Sequence, residues 1–403
     1  MKRIDGGACA AQGFRASGIH CGIRKNKTKR DLALIVSDVR AAAAAVYTLN
    51  LVQGAPIAVT RKNIADGYAR AMICNSGNAN TCNLNGVEIA EKMCALVGEH
   101  LGIPASDVIV ASTGVIGQPL DIAPIASGME ALAAGLEPDT TAAAEAIMTT
   151  DVRMKAVAVE FEVGGVVAKL GGIAKGSGMI HPNMATMLVF LTTDAAITPP
   201  MLRKALSMDV KRSFNRVSVD GDTSTNDMCA ILANGLAGNP EIASDGADFD
   251  AFREALNAVT VELCKMIARD GEGATKLIEC ALTGAADQET ADVVSKAVIC
   301  SSLVKAAMFG ADANWGRVLC AVGYAGADVD VSKVDVSFTS AAGTVEVCKG
   351  GAGVPFSEAA AKAVLSEENI LINVNLNAGP CSSVAWGCDL TYDYVKINGD
   401  YRT

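Results

Sequence analysis

Histidine is nearly absent from this chain: His20, His100 and His181 are the only three among 403 residues. A serine–histidine–acid triad would have to use His181, which is stiffened by Pro182 and has no evident acidic partner nearby in the chain. His20 lies in a basic N-terminal segment and His100 in a predicted helix, and there is no paired carboxylate motif, so no metal site is expected. The thirteen cysteines form no Cys-x-x-Cys and are odd in number, which predicts reduced, mostly buried thiols in a cytoplasmic protein. Basic charge is in deficit as well. With 34 Lys and Arg against 44 Asp and Glu, a net charge of −10 argues against nucleic acid and anionic membrane partners. The longest basic run, Arg24 to Arg30, is short, is followed by Asp31, and reads as a solvated loop. No apolar run reaches the ~20 residues that span a bilayer, and the first fifteen residues carry Asp5 and glycines instead of a secretory apolar segment. Around Lys175 the glycines lack the Gly-Lys-Ser/Thr order of a phosphate cradle, so they read as tight turns.

What is present is a large apolar inventory. Half of the residues are hydrophobic while only 4% are aromatic, and 39 are glycine, a composition of tightly packed, turn-rich α/β or α+β proteins. The length suggests two or three domains. Residues 32–36 and 71–74 read as buried strands. Val87, Ala90, Met93, Val97 and Leu101 fall at helical spacing, and Gly102 and Pro104 end that helix. A short strand at 108–110 should then deliver Thr113 and Gly114 to the turn at its end. Gly164-Gly165 between two β-rich segments is a two-residue hairpin signal. Phe252, Leu256, Val259, Leu263 and Met266 make a second helical stripe, stopped by Gly271, with Glu272 just past its end. A polar stretch at 284–292 suggests a boundary before a C-terminal α+β region.

The stretch from Lys175 to Asp194 sets Thr186 behind the small Ala185 and the stiff His181-Pro182, directly ahead of an apolar strand at 187–191. Without histidine, a hydroxyl nucleophile needs another base, and an N-terminal threonine carries its own. The free α-amine titrates at about 7.7 to 8.0, close to the pH at which a general base works best. Cleavage between Ala185 and Thr186, by attack of Thr186 Oγ on the Ala185 carbonyl and hydrolysis of the resulting ester, would expose that amine. The same oxyanion geometry would serve cleavage and catalysis, and each preorganised donor is worth ~2.7 to 4 kcal/mol. Thr113 and Gly114 supply a hydroxyl and an unhindered amide, although spacing alone fits an ordinary turn better. Lys175 can hold a substrate carboxylate as a point charge, or it can be a surface lysine, which spacing alone favours.

Longer motifs carry a resemblance. Gly13-Phe-Arg-Ala-Ser-Gly18, Asn75-Ser-Gly-Asn-Ala-Asn80, Ala111-Ser-Thr-Gly-Val-Ile-Gly117, Met148-Thr-Thr-Asp151, Lys175 to Thr186, Val219-Asp-Gly-Asp-Thr-Ser-Thr-Asn-Asp227, Asp270-Gly-Glu-Gly-Ala-Thr-Lys276 and Asn314-Trp-Gly-Arg317 run through nearly the whole chain. In these the sequence resembles the ornithine acetyltransferase, or glutamate N-acetyltransferase, family. The resemblance implies that Thr186 is the nucleophile and the first residue of a β chain, that Ala185–Thr186 is the cleavage site, and that Thr113 and Gly114 stabilise the oxyanion. It implies a substrate-binding set of Thr150, favoured over Thr149, with Lys175, Thr186, Glu272, Asn398 and Thr403. Ala306, His20 and Cys21 depart from residues common in relatives, at positions without an assigned role.

The resemblance further implies an α+β fold of layered sheets flanked by helices, of the N-terminal-nucleophile type, with a C-terminal α+β domain. Residues 1–185 would form the α chain, 186–284 the start of the β chain, and 285–403 a C-terminal domain whose tail returns to the site. Two α and two β chains would associate. The substrates would be N2-acetylornithine and L-glutamate, with no cofactor other than acetyl-CoA as the alternative donor that bifunctional members accept. A self-cleaving amidase or aminopeptidase is the second reading, and a non-catalytic relative the third.

Overall fold

The computed structural model describes residues 1–181 and 187–400. Its contacts divide the chain into two units. The first comprises Met1–Gly176, Pro182–Asn215 and Thr223–Leu263, the second Ser177–His181, Arg216–Asp222 and Cys264–Thr403.

The first unit is built on a nine-stranded mixed sheet. Its strand order is Lys2–Ile4, Lys155–Val163, Val166–Lys175, Leu188–Thr193, Met228–Ala233, Leu32–Tyr47, Tyr68–Asn78, Val108–Val115, with Phe14–Ile19 also paired to Leu32–Tyr47. Strands buried on both faces read as continuous apolar runs, as the inner strands Leu188–Thr193 and Met228–Ala233 and residues 32–36, 71–74 and 108–111 do. Leu32, Leu34, Ile73, Val108 and Val110 face the helices Gly86–Leu101 and Ala123–Ala134, while Ile35, Met72, Ile109, Phe190 and Leu232 fill the other side. The helix predicted from Val87 to Leu101 spans Gly86–Leu101, capped by Gly102 in the left-handed conformation at φ 65°. The Gly164-Gly165 hairpin forms as read, with φ 56° and 76° at the two glycines.

Several strands outrun the sequence expectation, as 71–74 does in Tyr68–Asn78, and two of them matter most. The first extends from the predicted 32–36 through five alanines to Tyr47. Alanine is a poor strand former, but here Ala42 to Ala45 pair with Met228–Ala233 and, past a register shift, Ala41 and Ala42 pair with Ala69 and Tyr68. The second is the Thr113 strand, treated below. The second stripe also folds as read, as the helix Ala247–Arg269, with Phe252, Leu256, Val259 and Leu263 fully buried.

The second unit carries a seven-stranded mixed sheet in the order Ala352–Gly353, Gly343–Lys349, Asp335–Ser340, Asn369–Asn375, Leu277–Ala285, Cys381–Cys388, Val217–Ser218. Helices Gln288–Cys300, Ser302–Phe309, Trp315–Gly323 and Glu358–Leu365 pack on it through Val294, Val298, Val304, Val318 and Leu365. Each has its first turn capped by a side-chain oxygen, from Asp287, Ser301, Asn314 and Ser357. Mixed sheets with helices against them make this the α+β architecture expected. Among the described residues, no helix is long and apolar enough to cross a membrane. None of the thirteen cysteines forms a disulfide among the described residues, and of them Cys82 and Cys320 are exposed.

Candidate active site

In the first unit the strand Val108–Val115 runs parallel to Tyr68–Asn78, placing Ser112, Thr113 and Gly114 opposite Asn75, Ser76 and Gly77. Thr113 and Gly114 are therefore strand residues, and the turn expected at this point begins only after Val115. The ladder is nonetheless distorted, with a register shift at Gly77/Asn78. Gly77 and Gly114 adopt φ 97° and 133°, a region closed to most L residues, and a Cβ on Gly114 would collide with the Gly77 backbone. Glycine is required at 114 for the two strands to approach there.

Lys175 closes the strand Val166–Lys175 and is buried. Its Nζ donates to Thr113 Oγ1 at 3.4 Å. The hydroxyl oxygen thus accepts from a cation and keeps its own proton for donation. A polarised hydroxyl next to an unhindered glycine amide is chemically suited to stabilise an oxyanion. The reading of Lys175 as a surface side chain does not hold: the sheet buries its stem and leaves its charge at the strand end.

Asp151 organises the surroundings of Lys175. Its Oδ1 accepts from Lys155 Nζ at 2.7 Å and from the Gly176 amide at 2.7 Å, and its Oδ2 from the Thr149 amide at 3.0 Å and the Thr149 hydroxyl at 3.5 Å. Burial pushes this carboxyl up, but the charges of Lys175 and Lys155 and the hydrogen bonds from Lys155 and Gly176 outweigh it, so it stays ionised well below the usual carboxylate range. Thr149 is thus engaged with Asp151 through both its amide and its hydroxyl, while Thr150 is half-buried on the same turn. Asp227 is the opposite case. It is fully buried, and burial drives its pKa far up against the smaller pull of Ser224 and Lys175. Its Oδ2 has no hydrogen-bond partner among the described residues. Sequence reasoning missed both carboxyls, because nothing in their local spacing separates a buried aspartate from a turn aspartate. It also placed Arg24 in a solvated loop. That holds for Asn26 to Arg30, which are exposed, but the Arg24 guanidinium turns inward to the Met148 carbonyl.

In the second unit, Glu272 lies beyond the helix Ala247–Arg269 and is buried. Its amide donates to Ser177 O at 2.9 Å. Its carboxylate sits where a Cβ on Gly178 would be, so this approach depends on glycine at 178. The C-terminal helix Tyr392–Gly399 presents Asn398, whose Nδ2 donates to Glu272 Oε2 at 2.7 Å. Tyr394 OH donates to Asp220 Oδ2 at 3.2 Å, and that carboxylate also accepts the amides of Met179 and Ile180 at 2.7 and 2.8 Å. Burial, followed by the charges of Asp220, Asp222 and Glu272, raises the Tyr394 phenol far above its ordinary value. This marks an anionic neighbourhood. His181 approaches Ser218 Oγ at 3.2 Å, and burial, reinforced by the Lys296 charge, lowers its pKa to about 4. It is a neutral ring at physiological pH.

Thr113, Gly114, Thr149, Thr150 and Lys175 thus belong to the first unit, and Glu272 and Asn398 to the second. Ala185, Thr186 and Thr403 lie outside the described residues.

Residues 15–403 match the ArgJ family. Over 406 residues the chain is 52% identical to the arginine biosynthesis bifunctional protein ArgJ of Symbiobacterium thermophilum, with 100% of both chains covered. It is 50% identical to ArgJ 1 of Clostridium acetobutylicum over 97% of this chain and 96% of that one. The crystal structure of ArgJ from Bacillus halodurans, 47% identical, matches 97% of its own chain to 52% of this one with a TM-score of 0.50. With the family matched over nearly its whole length and half of its residues shared with full-length relatives, the chain belongs to the ArgJ family.

Proposed function

We propose that the chain moves the acetyl group of N2-acetylornithine to L-glutamate through an acetyl-Thr186 intermediate, after cutting itself between Ala185 and Thr186. Membership of the ArgJ family makes it an enzyme of arginine biosynthesis. The observation that carries the finer reading is the buried Lys175 ammonium on the Thr113 hydroxyl beside Gly114. An acyl transfer needs donors aimed at a developing oxyanion, and an amino-acid substrate needs a cation for its carboxylate. The anionic neighbourhood of Glu272, Asp220 and Asp222 suits the second charge of ornithine, its side-chain amine.

In this reading the freed α-amine of Thr186 takes the proton of its own Oγ, which attacks the acetyl carbonyl of N2-acetylornithine. The oxyanion collapses, the proton passes to the departing amine, ornithine leaves, and glutamate repeats the sequence in reverse. Bound amino acid must exclude water for transfer to outrun hydrolysis. Lys175, Thr150, Glu272, Asn398 and Thr403 form the substrate-binding set, acetyl-CoA is the alternative donor, and two α and two β chains assemble in the cytoplasm. Self-cleavage gains support from the Bacillus halodurans chain, which corresponds to about half of this one. Cleavage before Thr186 would leave a second fragment of just over half of the 403 residues.

The decisive assay incubates the protein with N2-acetylornithine, with and without glutamate. Glutamate-dependent formation of N-acetylglutamate is expected, whereas acetate release indifferent to glutamate would favour a hydrolase. Thr186→Ala should remain one intact chain by mass spectrometry and lose turnover; a variant that still splits would remove Thr186 from the mechanism.

A further inference from the structure

Two of the longer motifs, Asn75 to Asn80 and the Thr223–Asp227 end of the aspartate-rich segment, supply no member of the oxyanion pair or the substrate-binding set. Both converge within the first unit on Ser112, the residue that precedes Thr113. Asn226 is buried, and its Nδ2 donates to Ala79 O at 2.6 Å and to Ser112 O at 3.0 Å. Its Oδ1 accepts from Thr81 Oγ1 at 2.6 Å and from Thr225 Oγ1 at 2.5 Å. Two donors and two acceptor positions exhaust an amide side chain. Rotation of the group would break all four bonds. From the other side, Ser112 Oγ donates to Asn75 Oδ1 at 2.6 Å, and Asn75 Nδ2 donates to Asn78 O at 2.9 Å. Gly54 makes room for the arrangement, since a Cβ there would lie 2.5 Å from Asn226 Nδ2.

The Ser112 carbonyl and the Thr113 amide are two ends of one planar unit. Holding Ser112 O therefore fixes the plane from which the Thr113 side chain and the Gly114 amide depart. The glycine-dependent distortion at Gly77 and Gly114 breaks the regular ladder there. Side-chain bonds thus reinforce strand pairing at Ser112, next to the point where the ladder becomes irregular.

We infer that Asn226 is a positioning residue for the oxyanion donors, acting through the Ser112 carbonyl with Asn75 as its counterpart. This rests on the proposed role of Thr113 and Gly114. Because one pair of donors would serve both self-cleavage and acetyl transfer, a displaced Ser112–Thr113 peptide slows both. A misplacement of order 1 Å costs about 100-fold in rate.

The test uses the full chain with Thr186 intact. Asn226→Asp preserves shape but faces Ala79 O and Ser112 O with an acceptor. We expect kcat to fall about 10- to 100-fold with KM for N2-acetylornithine nearly unchanged, and precursor cleavage to slow by a similar factor. Thr113→Val should impair both rates by itself, and combining it with Asn226→Asp should add little, because the second change acts through the first. A folded Asn226→Asp variant with normal kcat and cleavage, next to an impaired Thr113→Val, overturns the inference and leaves the oxyanion reading standing. A raised KM at unchanged kcat, or full additivity with Thr113→Val, also overturns it. An unimpaired Thr113→Val removes the oxyanion reading and the inference together. Should Asn226→Asp fail to fold, Thr81→Val deletes one of the bonds that orient Asn226. A severalfold loss of kcat at constant KM is then the supporting result, and unchanged kcat the opposing one.

Discussion

At Lys175 one ammonium lies within electrostatic reach of two buried carboxyl groups whose pKa values are shifted in opposite directions. Asp151 is held below the usual carboxylate range because two lysines and a backbone amide compensate its burial, while Asp227 lacks that compensation and its pKa is raised. The pH consequences have opposite signs. Asp227 holds a proton in the folded state that the unfolded chain gives up near pH 3.9. Its presence therefore lowers stability as pH rises above that value, by about 1.4 kcal/mol per pH unit until its folded pKa is passed. Asp227→Asn is expected to gain stability relative to the parent as pH is raised from 4 to 8, measured by urea unfolding. Parallel pH profiles for the two proteins would contradict the buried, protonated state. The raised pKa of Asp227 follows from its neighbours in space, and the sequence offered no hint of it. Thr113, Gly114 and Lys175 were visible because residue type and motif carried them.

At the level of elements, the turn at 148–151 is joined to the end of the Val166–Lys175 strand by the Asp151 carboxylate, through Thr149 on one side and Gly176 on the other. Lys155 completes the junction, with both side chains of the ion pair fully buried. Asp151→Asn leaves the Lys155 ammonium without its carboxylate, and breaking a buried pair in this way costs about 3 to 5 kcal/mol. The depressed pKa of Asp151 contributes stability above the unfolded value near pH 3.9, lost as pH falls through the lower folded value. The penalty of the variant should accordingly be large at pH 7 and narrow below pH 4, as thermal unfolding at several pH values will show. A variant as stable as the parent at pH 7 would rule out this account. Periodicity found the helices at Gly86 and Ala247 almost to their ends, because one apolar face per turn is a local signal. It failed at Ala41 to Ala45, whose strand conformation comes from pairing with distant segments, chiefly Met228–Ala233. It also placed Thr113 too early on a turn, because a parallel partner 37 residues away extends the ladder past Ser112.

At the scale of the whole molecule, the last helix brings Asn398 to Glu272 within the second unit. Tyr392 and Val395 on that helix are exposed, and none of its residues is buried. Little apolar burial depends on its end. Deletion of 398–403 should therefore reduce turnover by at least tenfold while shifting the melting temperature by only a few degrees; full activity of the shortened chain would dismiss a role for the tail. The sequence alone determined the mixed α+β class, the hairpin, the two long helices and, through its motifs, the candidates Thr113, Lys175, Glu272 and Asn398, because helical spacing, glycine turns and motifs are properties of short segments. Only the tertiary structure decided that Lys175 is buried against the Thr113 hydroxyl, that the pKa values of Asp151 and Asp227 shift in opposite directions, and that Asn226 holds the Ser112 carbonyl while Asn75 holds its hydroxyl. Desolvation and bonds such as Lys175 to Thr113 and Asn226 to Ser112, which join residues tens to more than a hundred positions apart, produce most of these features, and local patterns do not encode them.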